Sequence, residues 1–356
     1  MKTIVFTGGG SAGHVTPNLA LMARLQQLGW NIHYIGSATG IEKDIIQQER
    51  IPFHSISSGK LRRYFDLKNF KDPFKVLKGV YDSYQLLRSI KPAIVFSKGG
   101  FVSVPVVLSS RMRRIPSIIH ESDITPGLAN KLSIPFATKV CITFPETMPL
   151  IQGRKAVLTG VPIREKLKLG SRIKGLQSCG FHSEKSVIMV MGGSLGSQVI
   201  NKAVRDSLQD LLSRYQIVHI CGKGNVVGEL LAAKGYKQFE YVSDELPDLI
   251  AMADIVVSRA GSTSIYEFLA LGKPMLLIPL TKQASRGDQL LNAESFEKSG
   301  YAQVLFEEAL TKDSLISNVD SLYDRRERYK AAMSAQNGND AVEAIVQLIE
   351  TYSLPS

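Results

Sequence analysis

The sequence predicts an α/β protein of two doubly wound domains, each a parallel sheet wrapped by helices, facing one another across a cleft. Three observations carry this. Two glycine-rich turns, Gly8-Gly9-Gly10-Ser11-Ala12-Gly13-His14 and Gly192-Gly193-Ser194-Leu195-Gly196-Ser197, each come after a short apolar β-rich run and open an amphipathic segment. Each heads about half of a 356-residue chain, longer than the ~250–300 residues over which a single core grows. The composition, 44% hydrophobic and 21% charged, suits a protein with large buried cores.

The first element is the strand Thr3–Phe6, and Thr16-Pro17 reads as a helix start, with Thr as the cap and Pro in the first turn. Leu21, Leu25 and Leu28 then repeat at helical spacing. Asn31–Gly36, Pro92–Ser97 and Pro116–His120 are later parallel strands, each ending at a polar or glycine-containing loop. In the second half Val187–Met191 is the first strand, and Ile200, Val204, Leu208 and Leu211 form a helical stripe. Gln216–Cys221, Ile255–Ser258 and Pro274–Ile278 are buried-strand candidates, and the charged, glycine-containing stretch Gly160–Gly175 is the expected link. The expected domains are residues 1–162 and 163–339, with a final helix in 340–356 packing back on the first. Ligands of such sheets bind beyond the carboxyl ends of the strands, where the glycine turns lie.

Several classes are excluded. No apolar run approaches the ~20 residues of a membrane helix, and Met1-Lys2-Thr3 leads straight into the first strand without a signal-peptide cleavage region. Cys141, Cys179 and Cys221 are scattered, and read as small core residues of a reducing compartment, neither a disulfide framework nor a metal site. The net charge of +11 is lopsided: residues 1–163 hold 21 basic against 9 acidic side chains, and the rest 22 against 23. The first half therefore suits an anionic partner. Much of the excess lies in Lys60–Lys78, where Lys60, Arg62, Arg63, Lys68, Lys71, Lys75 and Lys78 interleave with Tyr64, Phe65, Phe70 and Phe74. Such a pattern fits an anionic bilayer surface; the alternative is an ordinary basic loop and helix whose aromatics face the core. No RNA-binding module is recognisable, so nucleic acid is not an expected partner.

The residues after the second strands narrow the ligand. A dinucleotide site places a ribose-binding acid there, but the two strands run into Gly36-Ser37-Ala38 and Gly222-Lys223-Gly224, which offer no carboxylate. A better candidate is Gly261-Ser262-Thr263-Ser264, at a strand end and helix start, with Glu267 one turn further. Its hydroxyls and N–H groups suit phosphate, and the Glu267 carboxylate suits both hydroxyls of a ribose. The alternative for Glu267 is an ordinary charge near a helix N-terminus.

These motifs, with Lys98-Gly99-Gly100-Phe101, His120-Glu121-Ser122-Asp123 through Gly127, Arg259-Ala260-Gly261 and Asp288-Gln289-Leu290-Leu291-Asn292-Ala293, resemble in order those of the family 28 glycosyltransferases, over nearly the whole chain. The resemblance implies the GT-B fold of two Rossmann-like domains and an inverting transfer of GlcNAc from UDP-GlcNAc. The acceptor is the C4 hydroxyl of MurNAc in undecaprenyl-pyrophosphoryl-MurNAc-pentapeptide, lipid I, and the product is the lipid II of peptidoglycan synthesis. By motif, Arg164 and Ser194 would contact the donor diphosphate, the Val242 backbone the uracil, Ser262, Thr263 and Ser264 the phosphates, Glu267 the ribose and Gln289 the sugar. Ser11, Ala12, Gly13 and Asp123 would close on donor sugar and acceptor, and Gly9, Gly10, Gly99 and Gly100 would hold the lipid diphosphate. Ser11-Ala12 stands where the family usually has Thr-Gly, and Asp123 where it has Asn; the acid accepts hydrogen bonds but does not donate as an amide does.

Inversion in one step needs a base on the acceptor side and charge stabilisation at the leaving UDP. His14 is the expected base, since imidazole titrates near neutrality; Asp123 and Glu121 are the rivals, and the alternative for His14 is orienting the acceptor or capping the helix. The chain holds no Asp-x-Asp pair, so no metal or cofactor is expected. The implied location is the cytoplasmic side of the cell membrane, bound peripherally through the Lys60–Phe74 patch. The other readings are a diacylglycerol glycosyltransferase of the same superfamily, a UDP-GlcNAc 2-epimerase and a non-catalytic nucleotide-sugar sensor.

Overall fold

The structure is a computed structural model and describes residues 2–10, 13, 15–59, 72–193, 196–335 and 340–355. The chain forms two compact units, residues 1–164 with 339–356, and 165–338.

In the first unit the order is β1 (Thr3–Thr7), α1 (Thr16–Gln27), β2 (Asn31–Ser37), α2 (Ile41–Gln48), β3 (Phe53–Ile56), α3 (Asp72–Ile90), β4 (Ile94–Ser97), α4 (Ser103–Met112), β5 (Ser117–Glu121), α5 (Leu128–Ser133), β6 (Lys139–Ile142) and β7 (Ala156–Leu158). The sheet order is β3-β2-β1-β4-β5-β6-β7, all parallel. The strands are apolar on both faces because helices cover both, so they read as continuous runs and not as alternation. α1 begins one position earlier than its sequence suggests: Val15 is the N-cap, without a side-chain cap, and Thr16 is already helical. Leu21 and Leu25 are fully buried, whereas Leu28 sits at the C-cap and is exposed.

The second unit runs α6 (Glu165–Lys168), α7 (Arg172–Cys179), β8 (Val187–Met191), α8 (Gln198–Asp206), α9 (Leu208–Arg214), β9 (Gln216–Ile220), β10 (Tyr236–Phe239), α10 (Leu246–Met252), β11 (Ile255–Ser258), α11 (Ser262–Ala270), β12 (Met275–Leu277), α12 (Asp288–Lys298), β13 (Ala302–Val304), α13 (Lys312–Asp324) and α14 (Arg326–Ser334). Its sheet, β10-β9-β8-β11-β12-β13, is again all parallel and repeats the same winding. The stripe Ile200–Leu211 is buried throughout but belongs to two helices, broken at Ser207, which ends α8 and precedes α9. Much of the stretch Gly160–Gly175 is helical, in α6 and the start of α7.

The last helix, α15 (Ala341–Tyr352), belongs to the first unit. Asp340 caps it, its carboxylate accepting from the backbone N–H groups of Val342 and Glu343. Ile345, Val346 and Ile349 enter the core that holds Ile4, Phe6, Leu21 and Leu25. Arg24 of α1 pairs with Glu343 of α15 at 2.5 Å, so the helix after the first glycine turn is tied to the chain's last one.

Candidate functional sites

In both sheets the winding reverses between the first strand and the fourth, β1 and β4 in one unit, β8 and β11 in the other. Loops part there and leave a crevice at the carboxyl ends of the strands. The glycine turns lie at these two points.

In the second unit the crevice is a cavity of about 430 Å³, lined among others by Gly192, Gly193, Ser197, Arg259, Ser264 and Gln289, within the range of about 300–1,000 Å³ usual for small-molecule sites. Glycine is required for different reasons along the turn. Gly193 has φ +93°, a left-handed backbone that other residues rarely adopt. A Cβ on Gly192 would strike the backbone N of Ser197, and one on Gly196 the carbonyl of Cys221. Ser197 caps α8, its hydroxyl accepting from the Ile200 N–H at 3.4 Å. Across the crevice, α11 starts at Gly261, which has no side chain to cap the first-turn N–H groups, and no acid occupies that turn. Ser262, Thr263 and Ser264 form that first turn. Oriented N–H groups, hydroxyls and the positive end of the helix dipole make an anion site.

Arg259 braces the crevice from below. It is 7% exposed. Its Nη2 donates to Ser197 Oγ at 2.8 Å, and its Nη1 donates to the carbonyls of Ile278 and Pro279 at 3.1 and 3.3 Å. It also forms an ion pair with Glu307 that is close but not aligned as a hydrogen bond. One guanidinium thus ties the cap of α8 to the strand end that precedes α12. Gln289, in the first turn of α12, accepts the Leu280 N–H at 3.2 Å, and Asn292 donates to the Ala260 carbonyl at 3.2 Å. Glu267 is half-buried on α11, and Val242 is buried in the loop after β10. Ser194 lies outside the described residues. Arg164 is the last residue of the first unit before α6.

In the first unit three loops meet, after β1, β4 and β5. Tyr34 donates its hydroxyl to the Gly8 carbonyl at 2.7 Å. Gly9 donates its N–H to the Gly99 carbonyl at 3.3 Å, and a Cβ on Gly100 would strike Gly9 itself. Gly10 donates its N–H to the carboxylate of Glu42 at 3.3 Å. The N–H groups of Gly9 and Gly10, expected to cradle a lipid diphosphate, are therefore already engaged inside the fold. Glu42 also corrects the expectation that no carboxylate stands at the end of the second strand: it comes from α2, five residues beyond Ser37, and is fully buried.

Lys98, at the end of β4, is buried, and its Nζ donates to His120 Nδ1 at 2.8 Å and to Ser122 Oγ. His120 Nε2 in turn donates to the Gly160 carbonyl at 2.8 Å, which fixes a neutral ring with its proton on Nε2. Burial, reinforced by the Lys98 charge, holds His120 well below the usual imidazole range. Burial lowers Lys98 to about 8, against the opposing pull of Glu121 and Asp123. Glu121 is enclosed: its carboxylate accepts from the N–H groups of Asp123 and Gly127, each at 3.0 Å, and from Asn130 Nδ2 at 2.8 Å. Burial, with Asp123 nearby, raises its pKa. Its bonds tie down the loop that carries Asp123. Gly13 is described, but Ser11, Ala12 and His14 lie outside the described residues. Among the described residues no group of three or more His, Cys, Asp or Glu is placed to hold a metal ion.

The basic aromatic stretch is described only from α3 onward; Lys60, Arg62, Arg63, Tyr64, Phe65 and Phe70 lie outside it. Phe74, Leu77 and Tyr81, at i, i+3 and i+7 of α3, are 74%, 66% and 63% exposed, beside exposed Lys75 and Lys78. These side chains do not face the core. Among the described residues no helix is long and apolar enough to cross a membrane.

Sequence reasoning missed Glu42 and gave no role to Lys98, His120 or Arg259. The signal for Lys98 was present: a lysine ends the apolar run Ile94–Phe96, and parallel pairing of Ser97 with Ile119 carries it to His120.

Two parallel sheets wound alike, with a phosphate-type crevice at the switch point of one, define the class, a protein of two nucleotide-fold domains. Residues 4–142 match the glycosyltransferase family 28 N-terminal domain and residues 187–348 its C-terminal domain; the chain belongs to glycosyltransferase family 28. It is 58% identical, over 350 residues and 98% of both chains, to the UDP-N-acetylglucosamine–N-acetylmuramyl-(pentapeptide) pyrophosphoryl-undecaprenol N-acetylglucosamine transferase of Clostridium novyi (strain NT). A protein of the same name from Geobacillus thermodenitrificans (strain NG80-2) is also 58% identical over 350 residues, 98% of each chain. Among solved structures, that of Acinetobacter baumannii MurG superposes with a TM-score of 0.76 over 99% of this chain and 100% of its own, at 24% identity, and shares the fold.

Proposed function

We infer that the chain transfers GlcNAc from UDP-GlcNAc to the C4 hydroxyl of the muramyl sugar of lipid I, giving lipid II. The observation that carries this is the 58% identity, over 98% of the chain, to transferases named for that donor and acceptor. The cavity in the second unit supports a nucleotide-diphosphate donor. Ser194, Ser262, Thr263 and Ser264 bind the phosphates there with the α11 N-terminus, Glu267 takes the ribose hydroxyls, the Val242 backbone reads the base and Gln289 meets the sugar. Arg164 adds positive charge to the diphosphate. This donor set stabilises the leaving UDP with fixed dipoles and a guanidinium, and the reaction proceeds without a metal.

The acceptor belongs to the first unit, against the loops after β1, β4 and β5. His14 takes the proton from the C4 hydroxyl; Asp123 is the second candidate, and Glu121, enclosed by three donors, is better placed to brace the loop. Gly13 with Ser11 and Ala12 closes on the sugars. The N–H groups of Gly9 and Gly10 are engaged, and that of Gly99 donates to Ser97 Oγ at 3.3 Å, which leaves Gly100 of the four glycines to meet the lipid diphosphate.

A lipid-linked substrate requires the enzyme at a membrane face. The exposed stripe Phe74, Leu77 and Tyr81, in a half of the sequence with net charge +12 whose residues 60–70 are rich in basic and aromatic side chains, suits insertion at an anionic headgroup layer. Binding is peripheral, on the cytoplasmic side.

The test incubates the full chain with labelled UDP-GlcNAc and either a lipid I analogue or diacylglycerol, with and without EDTA. Labelled product from the lipid I analogue alone, unchanged by EDTA, is expected. Label in diacylglycerol, or in neither acceptor while UDP-GlcNAc still binds, would overturn the reading.

A further inference from the structure

The carboxylate of Glu42 sits beneath the first glycine turn in a space that three separate glycines keep open. A Cβ on Gly9 would lie 2.5 Å from its Oε1, and one on Gly40 would strike the carboxyl group outright; one on Gly36 would meet the Phe53 ring first, at 2.7 Å, and the Glu42 Cγ at 3.0 Å. None of the three has a left-handed backbone; at Gly9 and Gly40 what the missing side chain leaves is room for the Glu42 carboxyl group where it now sits. The carboxylate is satisfied from two sides. Oε2 accepts the Gly10 N–H at 3.3 Å, and Oε1 accepts the Ser37 N–H at 3.0 Å and the Ser37 hydroxyl at 2.5 Å. Ser37 ends β2, and Gly10 lies in the turn after β1. One buried carboxyl group thus joins the carboxyl ends of the neighbouring strands β1 and β2.

We propose that Glu42 is a positioning residue for transfer: it holds Gly10 against the end of β2, and so sets where the acceptor-side chain that follows Gly10 begins. The proposal rests on the assignment of the acceptor to the first unit. Its chemistry is that of a brace. A carboxylate accepts from every N–H and O–H that meets it and offers no hydrogen of its own, so it holds Gly10 and Ser37 at once in one geometry. Positioning of this kind acts on turnover, because misplacing a reacting group by about 1 Å costs on the order of a hundredfold.

Glu42→Gln tests it in the full chain. The amide keeps the shape but presents an NH2 to one of the two backbone N–H donors, opposing donor to donor. Asp44→Asn, on the exposed side of the same helix, is the control. For each variant, turnover with the lipid I analogue, UDP affinity by calorimetry and the melting temperature are measured. The expected result for Glu42→Gln is a fall in kcat of at least about tenfold, with UDP affinity within twofold of wild type and Asp44→Asn unchanged. Ser37→Ala removes one donor from the carboxylate and gives a smaller fall in kcat of the same kind; it is read in place of Glu42→Gln if that variant fails to fold. Turnover like wild type in the folded variant, or a loss matched by equal losses of UDP affinity and melting temperature, would overturn the proposal. A wild-type chain that does not transfer at all would instead refute the acceptor assignment.

Discussion

Replacing Arg259 with Met would remove the guanidinium that holds the crevice of the second unit together. The side chain is 7% exposed and its contacts reach Ser197, Ile278, Pro279 and Glu307. Breaking a buried ion pair by deleting one partner costs about 3–5 kcal/mol, because the remaining charge is left enclosed. Glu307 keeps some access to water, with 18% of its side chain exposed, so the lower end of that range applies, about 3 kcal/mol. Against a typical domain stability of about 5–15 kcal/mol, that loss is easily resolved. The sole tryptophan, Trp30, lies in the core of the first unit. Urea unfolding monitored by Trp30 fluorescence therefore reports the first unit, while circular dichroism reports both. The expected result is an earlier transition by circular dichroism with the fluorescence transition unmoved. Adding Glu307→Leu should recover part of the loss, with a coupling energy of about 1–3 kcal/mol. A circular dichroism midpoint like wild type, or a double variant no more stable than the sum of the two single losses, would refute the bracing role.

Three further outcomes are expected. Ile349→Ala should destabilise the first unit by about 2–5 kcal/mol, since Ile349 is fully buried where α15 meets α1 and β1; a shift of the Trp30 transition worth less than about 1 kcal/mol would contradict this packing. Acid should destabilise the protein. Burial is the main cause that lowers the pKa of His33, His54, His120 and His219, the last to about 3. The native state thus stays neutral at these groups while the unfolded chain takes up protons below about 6.5, so stability is full above that pH and falls as pH drops toward the lowered native values. Glu121, raised by burial, opposes this at one group. Equal urea midpoints at pH 7.5 and pH 5 would contradict the account. Replacing Phe74 and Leu77 with Ser should weaken partition to anionic vesicles by roughly fivefold or more without moving either unfolding transition, because both side chains are exposed; unchanged partition would remove α3 from the membrane surface.

The strands were legible because parallel sheets covered on both faces need unbroken apolar runs, and because β1 and β8 run directly into glycine turns, where Gly10 and Gly193 have left-handed backbones. The crevice of the second unit was legible for the same reason: Gly192 and Gly261 mark it in the sequence. Helix boundaries were less so. The period of Ile200, Val204, Leu208 and Leu211 survives a one-residue break, so the stripe gave no sign that Ser207 divides α8 from α9. Glu42 was invisible because an acid in the first turn of a short helix ordinarily faces water and complements the dipole. What encloses it is the meeting of Gly9 with Gly40 and Glu42 itself, which are more than thirty positions further along the chain and come together only when β1 and β2 pair. The bond of Lys98 to His120 likewise depends on the register of β4 against β5.

The most direct measurement is the product itself: the full chain is incubated with UDP-α-GlcNAc and a soluble lipid I analogue, and the anomeric position is read by proton NMR. The account predicts a β-linked GlcNAc on the C4 oxygen of the muramyl sugar, formed with release of one UDP for each disaccharide. An α-linkage, or release of UDP and free GlcNAc with no disaccharide, would contradict it.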